Sequence, residues 1–254
     1  MNHPLTSAKL PQPNSEERYT YHRYDKFTSG LQAMLPSLPS NHPCRLLLSK
    51  GKNKAAQLSP HTVTLLEIKD NNSSTNDDDD DDDDEDRLIV KYPKGSTYNV
   101  RLKNILPITQ ENNLIIVSPE TTDYRRLCIV HTPQNHAFIE IGCDFALTVG
   151  NVNTCKKLGI DKSPTSLEIA RQNFPSCQFE EIDVLTESKE KLIGILQDND
   201  MTDCSQLVVA IDINGNRELD AVIACLTRVL DIWHPRIVII KSRTLYSVLL
   251  ENGI

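Results

Sequence analysis

Several apolar runs in the second half of the chain end directly at a charged residue. The charged residues are Asp161, Asp183, Asp212 and Lys241. Ligands of open parallel sheets bind outside the carboxyl ends of the strands, so charged side chains at these ends are candidates for binding or catalysis. Carboxylates accept hydrogen bonds there, and a lysine donates them. The pattern therefore predicts a polar ligand site, provided that the runs are neighbouring parallel strands.

The elements that carry these residues alternate between strands and helices. The predicted strands are residues 137–141, 157–160, 178–182, 207–211 and 236–240. Ser163 followed by Pro164 predicts a helix start, and Leu167, Ala170 and Phe174 continue at helical spacing. Such alternation is typical of a parallel sheet joined by crossover helices. The predicted fold class is α/β, a Rossmann-like parallel sheet with flanking helices, preceded by a small β-barrel-like module.

The first half of the chain has a different composition. Residues 1–42 contain five prolines and no sustained period, which predicts a flexible leader without chemistry. Residues 43–120 contain five short strand-like runs between turn residues, which predicts the small β-rich module. Residues 121–254 form the predicted Rossmann-like domain. Residues 70–87 are predicted to be a disordered insert, because residues 77–86 are ten consecutive carboxylates that repel one another.

The net charge of −8 arises from this acidic run. Without its ten carboxylates, 25 of the 35 acidic residues remain against 27 basic residues. The rest of the chain is therefore nearly neutral, and the overall charge does not exclude a nucleic-acid partner.

A hairpin in the β-rich module combines basic and aromatic residues. Pro93-Lys94-Gly95-Ser96 has the composition of a tight turn. The basic and aromatic residues around it are Lys91, Tyr92, Lys94, Tyr98, Arg101 and Lys103. Such a surface could bind RNA through phosphate contacts and base stacking. The alternative is an ordinary surface of solvent-facing lysines and half-buried tyrosines.

Other classes of protein are disfavoured by what the sequence lacks. No apolar run approaches the roughly 20 residues that cross a bilayer, and the N-terminus lacks a basic start followed by an apolar stretch. The seven cysteines are an odd number and contain no CxxC pair, which argues against a disulfide framework and a metal site. We therefore expect a soluble cytoplasmic protein with reduced thiols, no metal and no membrane association.

The strand ends and the first turn resemble those of class I S-adenosylmethionine-dependent methyltransferases. In both, an acidic residue lies two positions before a Gly-containing turn, here Glu140 before Gly142, and acidic residues end the next three strands. The runs Tyr92-Pro-Lys-Gly-Ser-Thr-Tyr98 and Asp123-Tyr-Arg-Arg-Leu127, with residues 209–219 and 239–246, are similar to a plant and algal group of such proteins. The resemblance covers about residues 88–250.

The resemblance implies S-adenosylmethionine as cofactor. The corresponding binding positions are Glu140, Gly142, Asp161, Lys162, Asp183 and Val184. Gly142 would permit close backbone approach to the amino-acid tail, and Asp161 would accept hydrogen bonds from both ribose hydroxyls. Asp183 with the Val184 backbone would face the adenine, and Glu140 would orient the tail ammonium directly or through water.

The first turn departs from the family pattern. The family has Gly-x-Gly-x-Gly, whereas this chain has Gly142-Cys143-Asp144-Phe145-Ala146. Asp144 either adds negative charge near the tail carboxylate or caps the following helix. A nicotinamide-binding Rossmann protein is the rival interpretation, but its phosphate turn requires a Gly-rich loop that this sequence fits worse.

Asp212 and Lys241 are the catalytic candidates. The pair is similar to the aspartate and lysine of heat-shock-type RNA 2′-O-ribose methyltransferases, which implies that Lys241 helps to activate a hydroxyl. The remaining lysine and glutamate of that tetrad have no counterpart here. Burial and a cationic neighbour such as Arg243 would favour the neutral lysine that a base requires, whereas Asp212 would oppose it. The alternative is an ion pair that ties two strand ends together.

The last predicted strand is followed by a short helix at 244–250, and the two final strands of the class I fold are absent after it. We therefore expect an open sheet edge at residues 237–240. The edge pairs with another molecule, as in a dimer, or is covered by the helix and the leader, or the chain is a truncated product.

The expected function is that of a methyltransferase of unknown acceptor, with RNA preferred over a small molecule because of the β-rich module. The alternative is a catalytically inactive methyltransferase-like protein that binds or scaffolds other molecules. Asp161, Asp183 and Asp212 favour the enzyme, whereas Asp144, Ala146 and the missing strands favour the alternative.

Overall fold

The structure of the chain is a computed structural model that describes residues 10–13, 18–24, 43–48, 57–68, 87–101, 104–107, 112–213 and 219–254. The described strands are β1 (Thr20–Arg23), β2 (Pro43–Leu48), β3 (Gln57–Ile68), β4 (Arg87–Lys91), β5 (Thr97–Arg101), β6 (Ile105–Pro107), β7 (Leu114–Ser118), β8 (Ala137–Ile141), β9 (Lys156–Asp161), β10 (Gln178–Glu181), β11 (Leu207–Ile211) and β12 (Ile237–Lys241). The described helices are α1 (Thr121–His131), α2 (Leu147–Asn151), α3 (Pro164–Asn173), α4 (Lys189–Asp198), α5 (Leu219–Trp233) and α6 (Arg243–Glu251). The chain divides into two units, Met1–Asp25 with Glu111–Ile254, and Lys26–Gln110.

The first unit contains a seven-stranded sheet in the order β10-β9-β8-β11-β12-β7-β1. All of its strand pairs are parallel. Counted from β8, the first five strands have the spatial order 3-2-1-4-5, which is that of a Rossmann sheet. The predicted α/β fold with a Rossmann-like parallel sheet is therefore confirmed.

Alternate residues of each central strand pack on opposite faces of this sheet, because side chains of a strand have a period of two. In β11, Leu207, Val209 and Ile211 belong to one core cluster, and Val208 and Ala210 belong to the other. Helices α4, α5 and α6 cover the first face, and α1, α2 and α3 cover the second. Burial on both faces explains why the sequence shows continuous apolar runs rather than an alternating pattern.

Serine caps fix the starts of three helices. Ser163, Ser188 and Ser242 precede α3, α4 and α6, and each side chain accepts a hydrogen bond from a backbone amide in the first turn. A capped start satisfies an amide that has no partner within the helix. The helix predicted to begin at Ser163-Pro164 is confirmed, and the cap places the end of β9 directly beside the first turn of α3.

The edge that was predicted to be open is covered. β7 pairs with β12 along residues 114–118, and β1 pairs with β7 beyond it. The prediction of an open edge is therefore wrong, and so is the assignment of the strand at 114–117 to the β-rich module. Strand-forming residues indicate a strand but do not indicate which sheet it joins, and a parallel partner can come from any part of the chain.

Part of the predicted leader belongs to the same sheet. Residues Thr20–Arg23 form β1, and Leu10, Tyr19 and Tyr21 are buried in the core of this unit. The Tyr21 hydroxyl donates a hydrogen bond of 2.7 Å to the Pro11 carbonyl. A flexible leader is therefore wrong for residues 18–24, where two buried tyrosines flank an exposed threonine with the period of a strand.

The second unit contains a five-stranded antiparallel sheet in the order β5-β4-β3-β2-β6. Its core includes Cys44, Leu46, Val63, Leu88 and Val90. This sheet is the β-rich module that the sequence predicts, and residues 92–96 connect β4 to β5 as a tight turn. Within the described residues, β5 and β6 are the two edge strands and do not pair with each other, so the sheet is open and not closed into a barrel.

The predicted insert at residues 70–87 lies outside the described residues except for Arg87, which begins β4. In the described part of the chain, no helix is both long and apolar enough to span a membrane.

Candidate functional site

Two adjoining pockets lie at the carboxyl ends of the central parallel strands. We call the first the β9 pocket; its volume is about 230 Å³, and it is lined by Ile141, Gly142, Asp144, Ile160, Asp161, Lys162, Ser163, Ser166, Ile182, Asp183, Val184, Leu185, Asp212, Ile213 and Cys225. We call the second the β12 pocket; its volume is about 300 Å³, and it is lined by Thr121, Arg125, Glu140, Gly142, Cys143, Asp144, Phe145, Leu147, Thr148, Asp212 and Lys241. Gly142, Asp144 and Asp212 line both pockets, so the two form one cleft.

The loop after β8 separates the two pockets and has an unusual backbone. Gly142, Asp144 and Ala146 have φ angles of 77°, 46° and 62°. These are the three positions at which the family that the sequence resembles has glycine, and two of them carry a non-glycine residue with a positive φ here. Left-handed conformation costs a non-glycine residue roughly 1–2 kcal/mol, and aspartate tolerates it better than alanine.

Glycine is required at position 142 because there is no space for a Cβ atom, as well as because the φ angle is positive. A Cβ atom at this position would lie 2.2 Å from the backbone oxygen of Asp212. The Gly142 amide donates a hydrogen bond of 2.8 Å to the Ile160 carbonyl. The loop therefore lies directly against the ends of β9 and β11, which brings Asp212 to the junction of the two pockets.

Asp144 does not cap the following helix. The N-cap residue of α2 is Ala146, whose own side chain makes no capping hydrogen bond. Instead, one carboxylate oxygen of Asp144 accepts a hydrogen bond of 3.0 Å from the Ser166 hydroxyl on α3. This contact ties the loop after β8 to the first turn of α3 across the β9 pocket.

Asp161 is held by backbone amides on both sides of the β9 pocket. Its Oδ2 accepts a hydrogen bond of 3.0 Å from the Asp144 amide, and its Oδ1 accepts one of 2.9 Å from the Ser163 amide. A carboxylate has about four lone-pair sites, so each oxygen keeps one for a ligand. The orientation of this carboxylate is thus set before any ligand binds.

Asp183 lines the same pocket. Its Oδ1 accepts a hydrogen bond of 3.1 Å from the Leu185 amide, which is again a contact with its own loop. Ile160, Ile182 and Val184 also line the pocket and are largely buried. The β9 pocket therefore presents fixed carboxylates beside an apolar surface.

Glu140 is buried beneath the β12 pocket. Its Oε1 accepts a hydrogen bond of 2.9 Å from the Tyr124 hydroxyl, and its Oε2 accepts one of 3.3 Å from the Val149 amide. Burial raises the pKa of Glu140 to about 8, although hydrogen bonds from Thr148 and Tyr124 act in the opposite direction. Near neutral pH this side chain favours the protonated form, so it contributes less negative charge than an exposed glutamate.

Asp212 and Lys241 form an ion pair at the centre of the β12 pocket. The strands that carry them are parallel neighbours, with Ile211 paired to Ile240. Lys241 Nζ lies 3.1 Å from both carboxylate oxygens of Asp212. Burial raises the pKa of Asp212, and the positive charges of Lys241 and Arg125 act against that rise. The two predicted catalytic residues are therefore in contact.

The nearby cation is Arg125 rather than Arg243. Arg243 donates to Glu120 at 2.8 Å, and both side chains are largely exposed. Arg125 lines the β12 pocket together with Thr121, one helical turn earlier on α1. Arg125 belongs to the run Asp123-Tyr-Arg-Arg-Leu127, and its spacing of four residues from Thr121 places both on one face of the helix.

The cleft contains all eight predicted site residues. Those that line the β9 pocket are Gly142, Asp161, Lys162, Asp183, Val184 and Asp212, and those that line the β12 pocket are Glu140, Gly142, Asp212 and Lys241. Their roles toward a ligand stay predictions. The sequence analysis missed Ser166 and Tyr124, which hold Asp144 and Glu140.

Comparison with known proteins gives likenesses of low similarity among solved structures. No protein-family model matches the chain, and no curated protein matches it. Among solved structures, the chain is similar to a TehB-like SAM-dependent methyltransferase from Corynebacterium glutamicum, with 16% sequence identity and a TM-score of 0.33. The match covers 43% of this chain and 55% of that chain, so the chain spans about half the length of that structure.

Proposed function

We propose that the chain is an S-adenosylmethionine-dependent methyltransferase that acts in the cytoplasm. The main support is that Asp161 and Asp183 line one pocket with Ile160, Ile182 and Val184, and that this pocket continues past Gly142 to the Asp212–Lys241 pair. The support for the location is the set of seven cysteines, an odd number without a CxxC pair, which is typical of proteins in a reducing compartment.

The β9 pocket has the chemistry that an adenosyl group requires. Asp161 keeps a lone pair on each oxygen for the two ribose hydroxyls. Ile160, Ile182 and Val184 provide apolar surface for the adenine, and Asp183 lies at its polar edge. A pocket of predominantly apolar lining with a few fixed polar groups is typical of cofactor sites.

The β12 pocket is where we place the methyl acceptor. The cofactor supplies an electrophilic methyl group on a positively charged sulfur. Lys241 and Asp212 orient the acceptor, and the acceptor proton passes to this pair as the new bond to the methyl group forms. Asp212 is suited to accept a proton because its burial raises its pKa.

For the acceptor, we propose RNA, on the basis of the hairpin between β4 and β5. The Tyr92 and Tyr98 rings form an edge-to-face pair with centroids 5.3 Å apart, and Tyr98 is 57% exposed. Lys91 and Lys94 are exposed beside them. If this surface binds RNA, the affinity of the protein for a single-stranded oligonucleotide falls as salt is added, and Tyr98→Ala weakens it several-fold. Affinity that does not change with salt would contradict phosphate contacts.

Calorimetric titration of S-adenosylmethionine tests the proposed cofactor site. We expect saturable binding by the wild-type protein and at least about tenfold weaker binding by Asp161→Ala, since hydrogen bonds to a charged group contribute roughly 1.5–3 kcal/mol. The matched control is Asp198→Ala, an exposed aspartate on α4 that lines neither pocket. The absence of saturable binding, or equal affinities of Asp161→Ala and the wild type, would contradict the proposal.

The second candidate function is a binding protein without catalysis. It is favoured by the short distance of both Asp212 oxygens from Lys241, because an ion pair of this kind can be purely structural and join two strand ends. Lys241→Ala separates the two candidates. Loss of methyl transfer at unchanged cofactor affinity supports catalysis, whereas cofactor binding by the wild type with no transfer to any pool of cellular RNA supports the binding protein.

A further inference from the structure

Asp144 lies at the junction of the two pockets, and among the described residues no lysine or arginine forms an ion pair with it. Asp212, which also lies at the junction, has its charge offset by Lys241 at 3.1 Å. Asp144 contacts a neutral hydroxyl, that of Ser166, at 3.0 Å. Its negative charge reaches Asp212, where it is one of the causes that raise the pKa of that carboxyl.

The proposed reaction changes the charge on the cofactor sulfur, and this change would occur near the Asp144 carboxylate. Methyl transfer breaks the bond between sulfur and carbon and leaves the electron pair on sulfur. The positively charged sulfonium of S-adenosylmethionine thereby becomes the neutral thioether of S-adenosylhomocysteine. The sulfur joins the adenosyl part to the amino-acid tail, so it lies at the junction if the adenosyl group occupies the β9 pocket.

We propose that the carboxylate of Asp144 makes the cleft selective for S-adenosylmethionine over S-adenosylhomocysteine. The inference rests on the proposed function and adds to it. A fixed negative charge attracts a cation and has little effect on a neutral sulfur at the same distance. The reactant is therefore retained and the product is released, which limits inhibition by the product.

The backbone explains why aspartate can provide this charge without disrupting the turn. The φ angle of 46° at position 144 is left-handed, and aspartate and asparagine adopt that conformation more readily than other non-glycine residues. The resembling family has glycine at this position, which has no charge. The proposed selectivity is thus a property of this side chain and not of the turn.

The test compares the dissociation constants of the two ligands by calorimetry for the wild type, Asp144→Asn and Asp198→Asn. Asparagine keeps the backbone preference and an oxygen for the Ser166 hydroxyl but removes the charge. We expect the preference for S-adenosylmethionine, measured as the ratio of the two dissociation constants, to fall about fivefold in Asp144→Asn. An effect of this size is that of one exposed charge several ångströms away. Asp198→Asn removes an equal charge outside both pockets and should leave the preference unchanged.

A salt series supplies the second readout. Added salt should reduce the preference of the wild type more than that of Asp144→Asn, because screening acts on one charge that the variant lacks. Asp144→Gly should behave as Asp144→Asn does, and it replaces that variant if asparagine impairs folding. An equal change in affinity for both ligands, or an unchanged preference, overturns the inference and leaves the proposed function standing. If the wild type binds neither ligand, both fail.

Discussion

The two pockets of the cleft hold their charged groups in different ways. In the β9 pocket, Asp161 and Asp183 are held by backbone amides of adjacent loops. In the β12 pocket, Asp212 is held by Lys241, and Glu140 is held in part by the Tyr124 hydroxyl. A carboxylate held by backbone depends on the fold, whereas a charge held by another side chain loses its partner in a single substitution. We therefore expect the carboxylates of the β9 pocket to keep their orientation and to bind a ligand. We expect the charged groups of the β12 pocket to be the ones that change protonation.

The largest effect is expected at the glycine that both pockets share. Gly142→Ala would place a Cβ 2.2 Å from the Asp212 backbone oxygen at a φ of 77°. The loop must then move, and we expect a loss of about 3 kcal/mol in the free energy of unfolding and loss of cofactor binding. Urea denaturation and calorimetry measure the two losses.

Gly95→Ala is the control for Gly142→Ala. Gly95 also has a positive φ, 94°, but nothing lies within 4 Å of its added Cβ. We expect only the backbone cost, about 1 kcal/mol. Equal losses in the two variants would show that the close approach to β11 has no energetic consequence.

Lys241→Met and Asp161→Asn compare the two ways of holding a carboxylate. Lys241→Met leaves Asp212 partly buried without its cation, and we expect the free energy of unfolding to fall by about 2 kcal/mol at pH 8. Asp161→Asn leaves one backbone amide without its carboxylate acceptor. Because water can reach this amide, we expect the free energy of unfolding to fall by only about 1 kcal/mol. Denaturation of both variants at one pH measures the order of these losses, and the reverse order would contradict the distinction between the pockets.

The loss in Lys241→Met should also depend on pH. Removal of the cation raises the pKa of Asp212 further above its value in the unfolded chain. The folded variant then holds a proton that the unfolded chain has released, so its stability falls as the pH rises through this range. The loss relative to the wild type should be smaller at pH 5 than at pH 8.

Glu140→Gln tests the buried carboxyl of the β12 pocket. The pKa of Glu140 rises from 4.5 to about 8 on folding. Between these values the folded protein binds a proton that the unfolded chain does not, so the wild type loses stability as the pH rises from about 5 to 8. Glutamine has no such proton. In urea denaturation across this range, the stability of Glu140→Gln relative to the wild type should increase with pH; a constant difference would contradict a raised pKa.

The smallest effects are expected from two exposed arginines. Arg243→Ala breaks a pair with Glu120 whose side chains are 70% and 50% exposed, and we expect a change within about 0.5 kcal/mol and no effect on methyl transfer. Arg125→Ala should change stability as little but should shift the pH profile of transfer to higher pH, because Arg125 lowers the pKa of Asp212. The same profile for both variants would contradict a role for Arg125.

The sequence predicted the strand ends of the site because each apolar run stops where the sheet meets solvent. That signal located Asp161, Asp212 and Lys241, and parallel alternation placed them on one edge. The sequence did not predict β1 or the sheet to which β7 belongs, since short strands do not encode their partners. It also did not predict that Asp144 and Ala146 take left-handed angles, because such angles are uncommon for residues other than glycine.

The central claim is that the β9 pocket receives the adenosyl group. The most direct measurement is an NMR experiment on protein with labelled methyl groups, in the presence of S-adenosylmethionine. We predict nuclear Overhauser contacts from the adenine protons to the methyl groups of Ile160, Ile182 and Val184, which line that pocket. Contacts to Leu147, a methyl-bearing residue of the β12 pocket, without any to these three would contradict the claim.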